Sequence, residues 1–230
     1  MTDDVREVPA WLRELPTAAR SLRARDLTGF DEPPGARPRP AAVLILFGED
    51  ATGPNVLLLE RSFDMRSHAG QVAFPGGAQD PSDPGPVAAA LREAQEETGL
   101  DPRGVRVLAT LPALWLPPSN FTVTPVVGWW QTPSAVYAVD PAETASVHTV
   151  AISELLDPSN RATVRHPSGH LGPAFLLGDL VVWGFTAGLL SRLLSVAGWE
   201  LPWDDTLVVD LPERLVAASL RDLNRTGDPT

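Results

Sequence analysis

An α/β sandwich of the α+β kind, built on a mixed β-sheet, is the fold class this chain predicts. Three observations carry the prediction. Short apolar runs stand both before and after one strongly helical segment, so sheet and helix must share a core. Proline- and glycine-rich stretches punctuate the runs at short intervals. No segment repeats and none is of low complexity.

Taken in order, residues 10–27 place Trp11, Leu12, Leu15, Ala18, Ala19 and Leu22 near a 3.6-residue period, which predicts a helical arm. The stretch DEPPGARPRP at 31–40 is a connector. An arm over 1–40 followed by one domain over 41–225 is the expected organisation. AAVLILF (41–47) and NVLLLE (55–60) flank a Gly/Asp/Pro loop and read as two buried strands of a hairpin. QVAF (71–74) is a third extended piece, and FPGGAQDPSDPGP reads as loop because proline and glycine oppose regular structure. VAAALREAQEET (87–98) is rich in good helix formers, with Pro86 suited to a first turn and Gly99 to the position just past the end. Strands are expected at 105–111, 121–130, 146–152 and 173–177. Helices are expected from SELLD, over 181–198 and near 211–223.

Composition narrows the chemistry. The chain of 230 residues has no cysteine, which excludes disulfides, thiol nucleophiles and thiolate metal sites. All 18 basic residues are arginine, so Schiff-base chemistry and a P-loop lysine are excluded as well. A net charge of −11 argues against a broad nucleic-acid or anionic-membrane surface. A small anionic substrate remains open to an acidic protein that has a local arginine cluster or a metal. The N-terminus, MTDDVREVPA, is unlike a signal peptide. The longest apolar stretch, LLGDLVVWGFTAGLL, is broken by Asp179 and too short to span a bilayer. A cytoplasmic protein is expected.

The helix at 87–98 carries the functional signal. Positions 93, 96 and 97 lie within about 100° of one another on a helix, so Glu93, Glu96 and Glu97 share a face. Glu93 and Glu97 are a like-charge i, i+4 pair, and Glu96 and Glu97 sit in the last turn, where the helix dipole disfavours anions. Breaking two local rules together is expected at a functional site. A divalent cation would resolve both conflicts, and hard oxygen ligands suit Mg²⁺ or Mn²⁺. The counterion expected on this reading is a metal and not a side chain.

The surrounding segment resembles a known family. Gly77, a loop, and then Arg92-Glu93-x-x-Glu96-Glu97-x-Gly99-Leu100 is similar to the Nudix box, G-x₅-E-x₇-R-E-U-x-E-E-x-G-U, where U is aliphatic. That family hydrolyses nucleoside diphosphates linked to another group, using Mg²⁺ or Mn²⁺. Upstream, Leu58-Leu59, Arg61-Ser62, Arg66, Gly70 and Phe74-Pro75-Gly76-Gly77 resemble the coenzyme A pyrophosphatase branch, as does Trp183-Gly184-x-Thr186-Ala187. There are departures from the general box. The nearest acid before the helix is Asp83 and not a glutamate, the Gly77-to-Arg92 spacing is one residue longer, and Ala94 replaces a bulkier aliphatic.

The resemblance implies a Nudix-type α/β/α sandwich with a catalytic loop-helix-loop. It implies that Glu93, Glu96 and Glu97, with the backbone of Gly77, hold the metal, and that Glu93, Arg92 and Glu97 are the catalytic group. Glu93 would orient or deprotonate water, and Arg92 would buttress the metal loop or pair with Glu96. Gly76 and Gly77 permit the tight turn that brings a carbonyl to a metal. Arg61 and Arg66 suit forked phosphate contacts, although a surface ion pair serves each equally well. His68 fits a phosphate contact, a proton transfer or a loop cap. Asn120 to Thr124 suit a substrate rim, and Trp115, Trp129 and Trp130 suit adenine stacking or core packing. Glu143 is a candidate acid delivered from a loop, and RATVRHPSGH (161–170) either meets a phosphate or is an ordinary basic loop. Coenzyme A or an acyl derivative is the expected substrate. ADP-ribose, a dinucleoside polyphosphate, an oxidised nucleotide and a non-catalytic nucleotide sensor are the alternatives. No nucleic-acid or membrane partner is expected, and a homodimer is left open.

Overall fold

The structure, a computed structural model, describes residues 7–226 apart from positions 29, 66 and 118. The chain enters through a 3₁₀ turn at Ala10–Leu12 and two short helices, α1 (Leu15–Arg20) and α2 (Ala24–Leu27). The single helix expected over 10–27 is therefore broken. Pro16 lies in the first turn of α1 and has no N–H to continue a helix arriving from Ala10–Leu12. Arg23 is extended, and its N–H is taken at 2.8 Å by the Asp26 carboxylate, which starts α2 afresh. The apolar spacing is nonetheless used: Leu12, Leu15, Ala19 and Leu22 are buried in one cluster with Phe47 and Trp129.

Next come β1 (Arg39–Asp50) and β2 (Gly53–Arg61), an antiparallel hairpin in register from Phe47↔Val56 to Asp50↔Gly53. Beyond that register the two strands take different partners. β3 (Val72–Ala73) pairs with the far end of β2, and β4 (Gly76–Ala78) pairs with Ala41, Ala42 and Val43 of β1. Residues 76–78 read as loop from sequence. They are strand because the N-terminal half of β1 is left with unpaired backbone groups that need a partner. α3 (Pro86–Thr98) follows, then β5 (Val105–Thr110), β6 (Leu114–Leu116), β7 (Phe121–Trp130) and β8 (Thr144–Ala151). β1 and β7 run parallel over nine residue pairs while the other pairings are antiparallel, so the eight-stranded sheet is mixed, as expected.

The rest of the chain is α4 (Ile152–Leu156), β9 (Arg161–Arg165), β10 (Leu171–Leu177), β11 (Leu180–Val182), α5 (Gly184–Val196), β12 (Val208–Asp210) and α6 (Glu213–Thr226). β9 to β12 form a second, four-stranded sheet ordered β11-β10-β9-β12. The helix expected from 181 starts three residues later, because Val181 and Val182 complete the hairpin with Phe175 and Leu176.

Alternation along β1 sets the layers. Ala42, Leu44 and Leu46 face one way and pack with Ala89, Ala90 and Ala94 of α3. Ile45 and Phe47 face the other way and pack with Leu189, Leu190 and Leu193 of α5. Helix, sheet and helix thus stack as an α/β/α sandwich. The three buried alanines carry almost no side-chain bulk, so α3 lies close on the sheet at the point where β1 and β2 diverge. None of the described helices is long and apolar enough to cross a membrane.

Candidate active site

α3 begins with Pro86 in its first turn and ends at Gly99, whose left-handed backbone (φ 69°) stops it. Its acidic face is turned toward the β3–β4 corner. The Glu93 carboxylate sits directly against Gly77. A side chain added at Gly77 would place Cβ 2.5 Å from Glu93 Oε2, so glycine there lets the acid keep this position. Gly76 has φ 157° and abuts the backbone of Ala42 and Val43 just as closely.

Arg92 organises the approach. Its Nη1 donates to Glu93 Oε1 and to Glu96 Oε2, both at 2.9 Å. Its Nε and Nη2 fork onto Asp83, with Nη2 at 2.9 Å from Oδ2, and Nη2 also reaches the Ala78 carbonyl at 3.0 Å. The expectation that no side chain supplies the counterion is corrected here. Arg92 precedes the acids in the chain, but i, i+1 and i, i+4 reach let it neutralise Glu93 and Glu96 from one side. Hydrogen bonding by Arg92 holds Asp83 below its ordinary carboxylate range, and the same contacts raise the guanidinium's affinity for its proton.

Glu97 differs from its two neighbours. Its side chain is only 9% exposed, against 58% for Glu96. It accepts a hydrogen bond from the Gly76 N–H at 2.9 Å and pairs with Arg61 Nη1 at 3.4 Å. Burial outweighs those contacts, and the Glu93 and Glu143 charges add to it, so its pKa is pushed up to about 7. Burial also raises Glu93. Among the described residues no three acidic or histidine side chains converge into a ready-made metal cage. Glu93 and Glu97 point toward the glycine corner, while Glu96 is held outward by Arg92.

Comparison with known proteins agrees with this geometry. The family model described as the NUDIX domain matches residues 37–169, more than half of the chain. The chain belongs to the Nudix family. A protein of Citrobacter koseri named "Uncharacterized Nudix hydrolase NudL" is 42% identical over 167 residues, covering 70% of this chain and 83% of its own. A protein of the same name from Escherichia coli K12 is 37% identical over 163 residues, with the same coverage. Among solved structures, the Nudix hydrolase RenU of M. smegmatis is 24% identical at a TM-score of 0.46, covering 70% of this chain and 86% of that one. A MutT/nudix family protein from Enterococcus faecalis is 18% identical at a TM-score of 0.47, covering 82% and 74%.

The Nudix assignment makes the chain a pyrophosphohydrolase acting on small nucleotide-type substrates, in a family that generally requires divalent metals such as Mg²⁺ or Mn²⁺. The donors at the corner fit such an ion: carboxylate oxygens beside a glycine turn, with one acid buried and not fully compensated. Where the general Nudix box has a glutamate, Asp83 meets Arg92. The shorter side chain is compensated by its position in the 80–83 turn, where the Asp83 carboxylate also accepts from the Asp80 N–H at 2.8 Å.

Other candidates are dispersed. Arg66 lies outside the described residues. His68 has a left-handed backbone (φ 56°), and its Nδ1 pairs with Gln71 Oε1 at 3.2 Å within the same loop. Trp129 and Trp130 are buried in the two sheet cores, which excludes them from stacking on substrate. Trp115 pairs with Asn120 at 3.4 Å at the start of β7. Glu143 is exposed just before β8. Its carbonyl accepts from the Ser62 N–H at 2.9 Å, which ties it beside Arg61. Only the second half of the 161–170 segment is loop, since 161–165 is β9. Arg161 is buried between the rings of Phe175 and Trp203, each 4.4 Å from its guanidinium, and His166 stacks on Trp183. The cue for Arg161 lay in its pairing partner Phe175, whose position across the hairpin sequence alone does not reveal.

Proposed function

We propose that this Nudix hydrolase splits the pyrophosphate of coenzyme A or its acyl derivatives, giving 3′,5′-ADP and a 4′-phosphopantetheine. One observation carries the reading. The segment 58–77, which resembles the coenzyme A branch, is laid by the fold onto the acidic helix, with Arg61 and the Gly76 N–H both on Glu97. In this reading Glu93 and Glu97, with the Gly77 backbone, hold Mg²⁺ or Mn²⁺, and Glu96 joins them by turning from its contact with Arg92. The ion supplies charge neutralisation on the phosphoryl oxygens. Arg61 binds the pyrophosphate as a fork, assisted by Arg66 and with His68 and Gly76 shaping the corner. Glu93 positions water, and Glu143, whose charge is felt at Glu97, is the second candidate for that role. Arg92, fixed by Asp83, holds Glu93 in place. Water oxygen forms a bond to one phosphorus, the bridging oxygen leaves with the other phosphate, and the proton passes to a carboxylate and on to solvent.

The test is product identification after incubation with coenzyme A and Mg²⁺ or Mn²⁺. The expected result is stoichiometric 3′,5′-ADP and 4′-phosphopantetheine. Faster turnover of ADP-ribose at equal concentration would overturn the substrate assignment. Binding of nucleotides without turnover of any pyrophosphate would overturn the assigned roles.

A further inference from the structure

The connection from β7 to β8, residues 131–143, contains no helix or strand. A connection of this length without structure of its own is uncommon in a compact domain and usually has a function. It is nonetheless tied down along its course. The Thr132 N–H donates to the Gly104 carbonyl at 3.0 Å, and Ser134 Oγ accepts from the Asp101 N–H at 3.0 Å. Val136 packs on the core shared by β1 and α3. The Tyr137 N–H then donates to the Thr98 carbonyl at 2.9 Å, and the Val139 N–H to the Glu97 carbonyl at 3.3 Å. Past these bonds the chain turns at Asp140, whose carbonyl accepts from the Glu143 and Thr144 N–H groups. The Glu143 carbonyl is taken by the Ser62 N–H at 2.9 Å, one residue beyond Arg61. The segment is thus a strap from the end of α3 to the end of β2, the two elements that meet at Glu97.

The strap acts where α3 is weakest. The last four carbonyls of a helix have no partner within it. The last turn of α3 also carries Glu96 and Glu97 against the helix dipole. Two of the orphan carbonyls are those of Glu97 and Thr98, and the strap supplies an N–H to each. The buried acid therefore hangs on a turn that is fixed from outside the helix. The Tyr137 side chain is 60% exposed, so it adds little to the core. Its ring lies instead over Gly99. A Cβ added there would stand 2.9 Å from Tyr137 Cε1 and 3.0 Å from Cζ. Gly99 thereby ends the helix and also leaves bare backbone under the ring. The seat lies at one of the two helix bonds and two residues from the other. The strap's far end brings a further acid toward the corner, since the charge of Glu143 is felt at Glu97.

We propose that Tyr137 is a positioning residue for the acidic corner. Its ring, seated on Gly99, holds the strap so that the Tyr137 and Val139 N–H groups fix the last turn of α3 and with it Glu97. The inference rests on the reading above in which Glu97 holds the metal. Tyr137 acts through Glu97, so its loss loosens the acid without removing a substrate contact. Metal affinity and kcat then move together, and KM does not.

The experiment titrates the full chain with Mn²⁺ by calorimetry and measures coenzyme A kinetics alongside. Tyr137→Ala weakens Mn²⁺ binding about tenfold and lowers kcat by a similar factor, with KM within about twofold. Tyr137→Phe keeps the ring on Gly99 and brings both quantities back to within about twofold of the wild type. In a Glu97→Gln background, Tyr137→Ala lowers kcat no further, because the group it positions is already gone. Unchanged Mn²⁺ affinity in Tyr137→Ala, no recovery in Tyr137→Phe, or an equal loss of kcat with glutamine at position 97 would overturn the proposal. Undiminished Mn²⁺ binding and turnover in Glu97→Gln alone would instead sink the metal-holding reading on which it rests.

Discussion

Replacing Glu97 by glutamine should make the metal-free protein more stable and the enzyme less active. The carboxyl is nine-tenths buried, and burial lifts its pKa from 4.5 to about 7. At ~1.36 kcal/mol per pH unit, that rise corresponds to about 3 kcal/mol spent on ionising Glu97 inside the fold. Glutamine keeps an oxygen for the Gly76 N–H and removes the buried charge. The pull of Arg61 is already contained in that shift. Burying the glutamine amide takes back about 1 kcal/mol, so a net gain of about 2 kcal/mol remains. The sign with pH follows from a folded pKa above the unfolded one. Below pH 4.5 Glu97 is protonated in both states and costs nothing. The penalty grows from pH 4.5 to 7 and is complete above 7. Urea unfolding in EDTA at pH 5 and pH 8 reads it: Glu97→Gln exceeds the wild type at pH 8, and the gap narrows at pH 5. Added Mg²⁺ stabilises the wild type more than the variant, and turnover falls about 100-fold or more. A variant no more stable at pH 8 would refute the burial argument, and one with full metal-dependent turnover would refute the role of the acid.

Three further outcomes are expected. Gly77→Ala displaces the Glu93 carboxylate, so turnover collapses in a steady-state assay while the far-ultraviolet circular dichroism is unchanged. Asp83→Ala frees one side of the Arg92 fork and lowers metal affinity or kcat about tenfold, and Asp83→Glu recovers part of it, measured by metal titration and kinetics. Burial against Trp183 and the neighbouring His170 hold His166 below its ordinary pKa, so the fold favours its neutral form. Stability therefore falls as pH drops through 6.5 toward the lowered folded value, a slope that denaturant unfolding should show in the wild type and lose in His166→Phe.

Much of this was legible from residue patterns. The hairpin follows from two short apolar runs around a turn-forming loop, and α3 with its caps from helix propensity and from Pro86 and Gly99. What periodicity could not show was partner choice. The apolar spacing over 10–27 is real, but Pro16 and the Asp26 cap divide the helix while leaving its buried face intact. Gly76–Ala78 has the composition of a turn and becomes strand because β1 parts from β2 beyond Phe47 and takes a new partner. The acidic face was legible as a cluster but not as an arrangement. Which acid is buried depends on where β2 and β4 meet the helix, and those contacts join residues 21 and 36 positions apart. Arg161 reads as a surface cation until Phe175 and Trp203 are placed on either side of it.

The like charges on α3 stop being a puzzle once the donors of Arg92 are counted. A guanidinium has five N–H groups in a rigid fork. Nε and one N–H of Nη2 serve Asp83, the other N–H of Nη2 serves the Ala78 carbonyl, and Nη1 serves Glu93 and Glu96. Every donor has an acceptor, and the acceptors are spread over three parts of the corner: the pre-helix turn, the end of β4 and the helix itself. A lysine, as a compact point charge with three donors, could not hold those parts together. The consequence for the acids is a division of labour. Glu96 is neutralised at the surface, and Glu93 is held against Gly77. Glu97, out of reach of Arg92, keeps a buried charge that Arg61 at 3.4 Å only partly offsets. The uncompensated negative charge is thereby confined to the corner between Gly76, Arg61 and α3, the corner to which the proposed function assigns the metal.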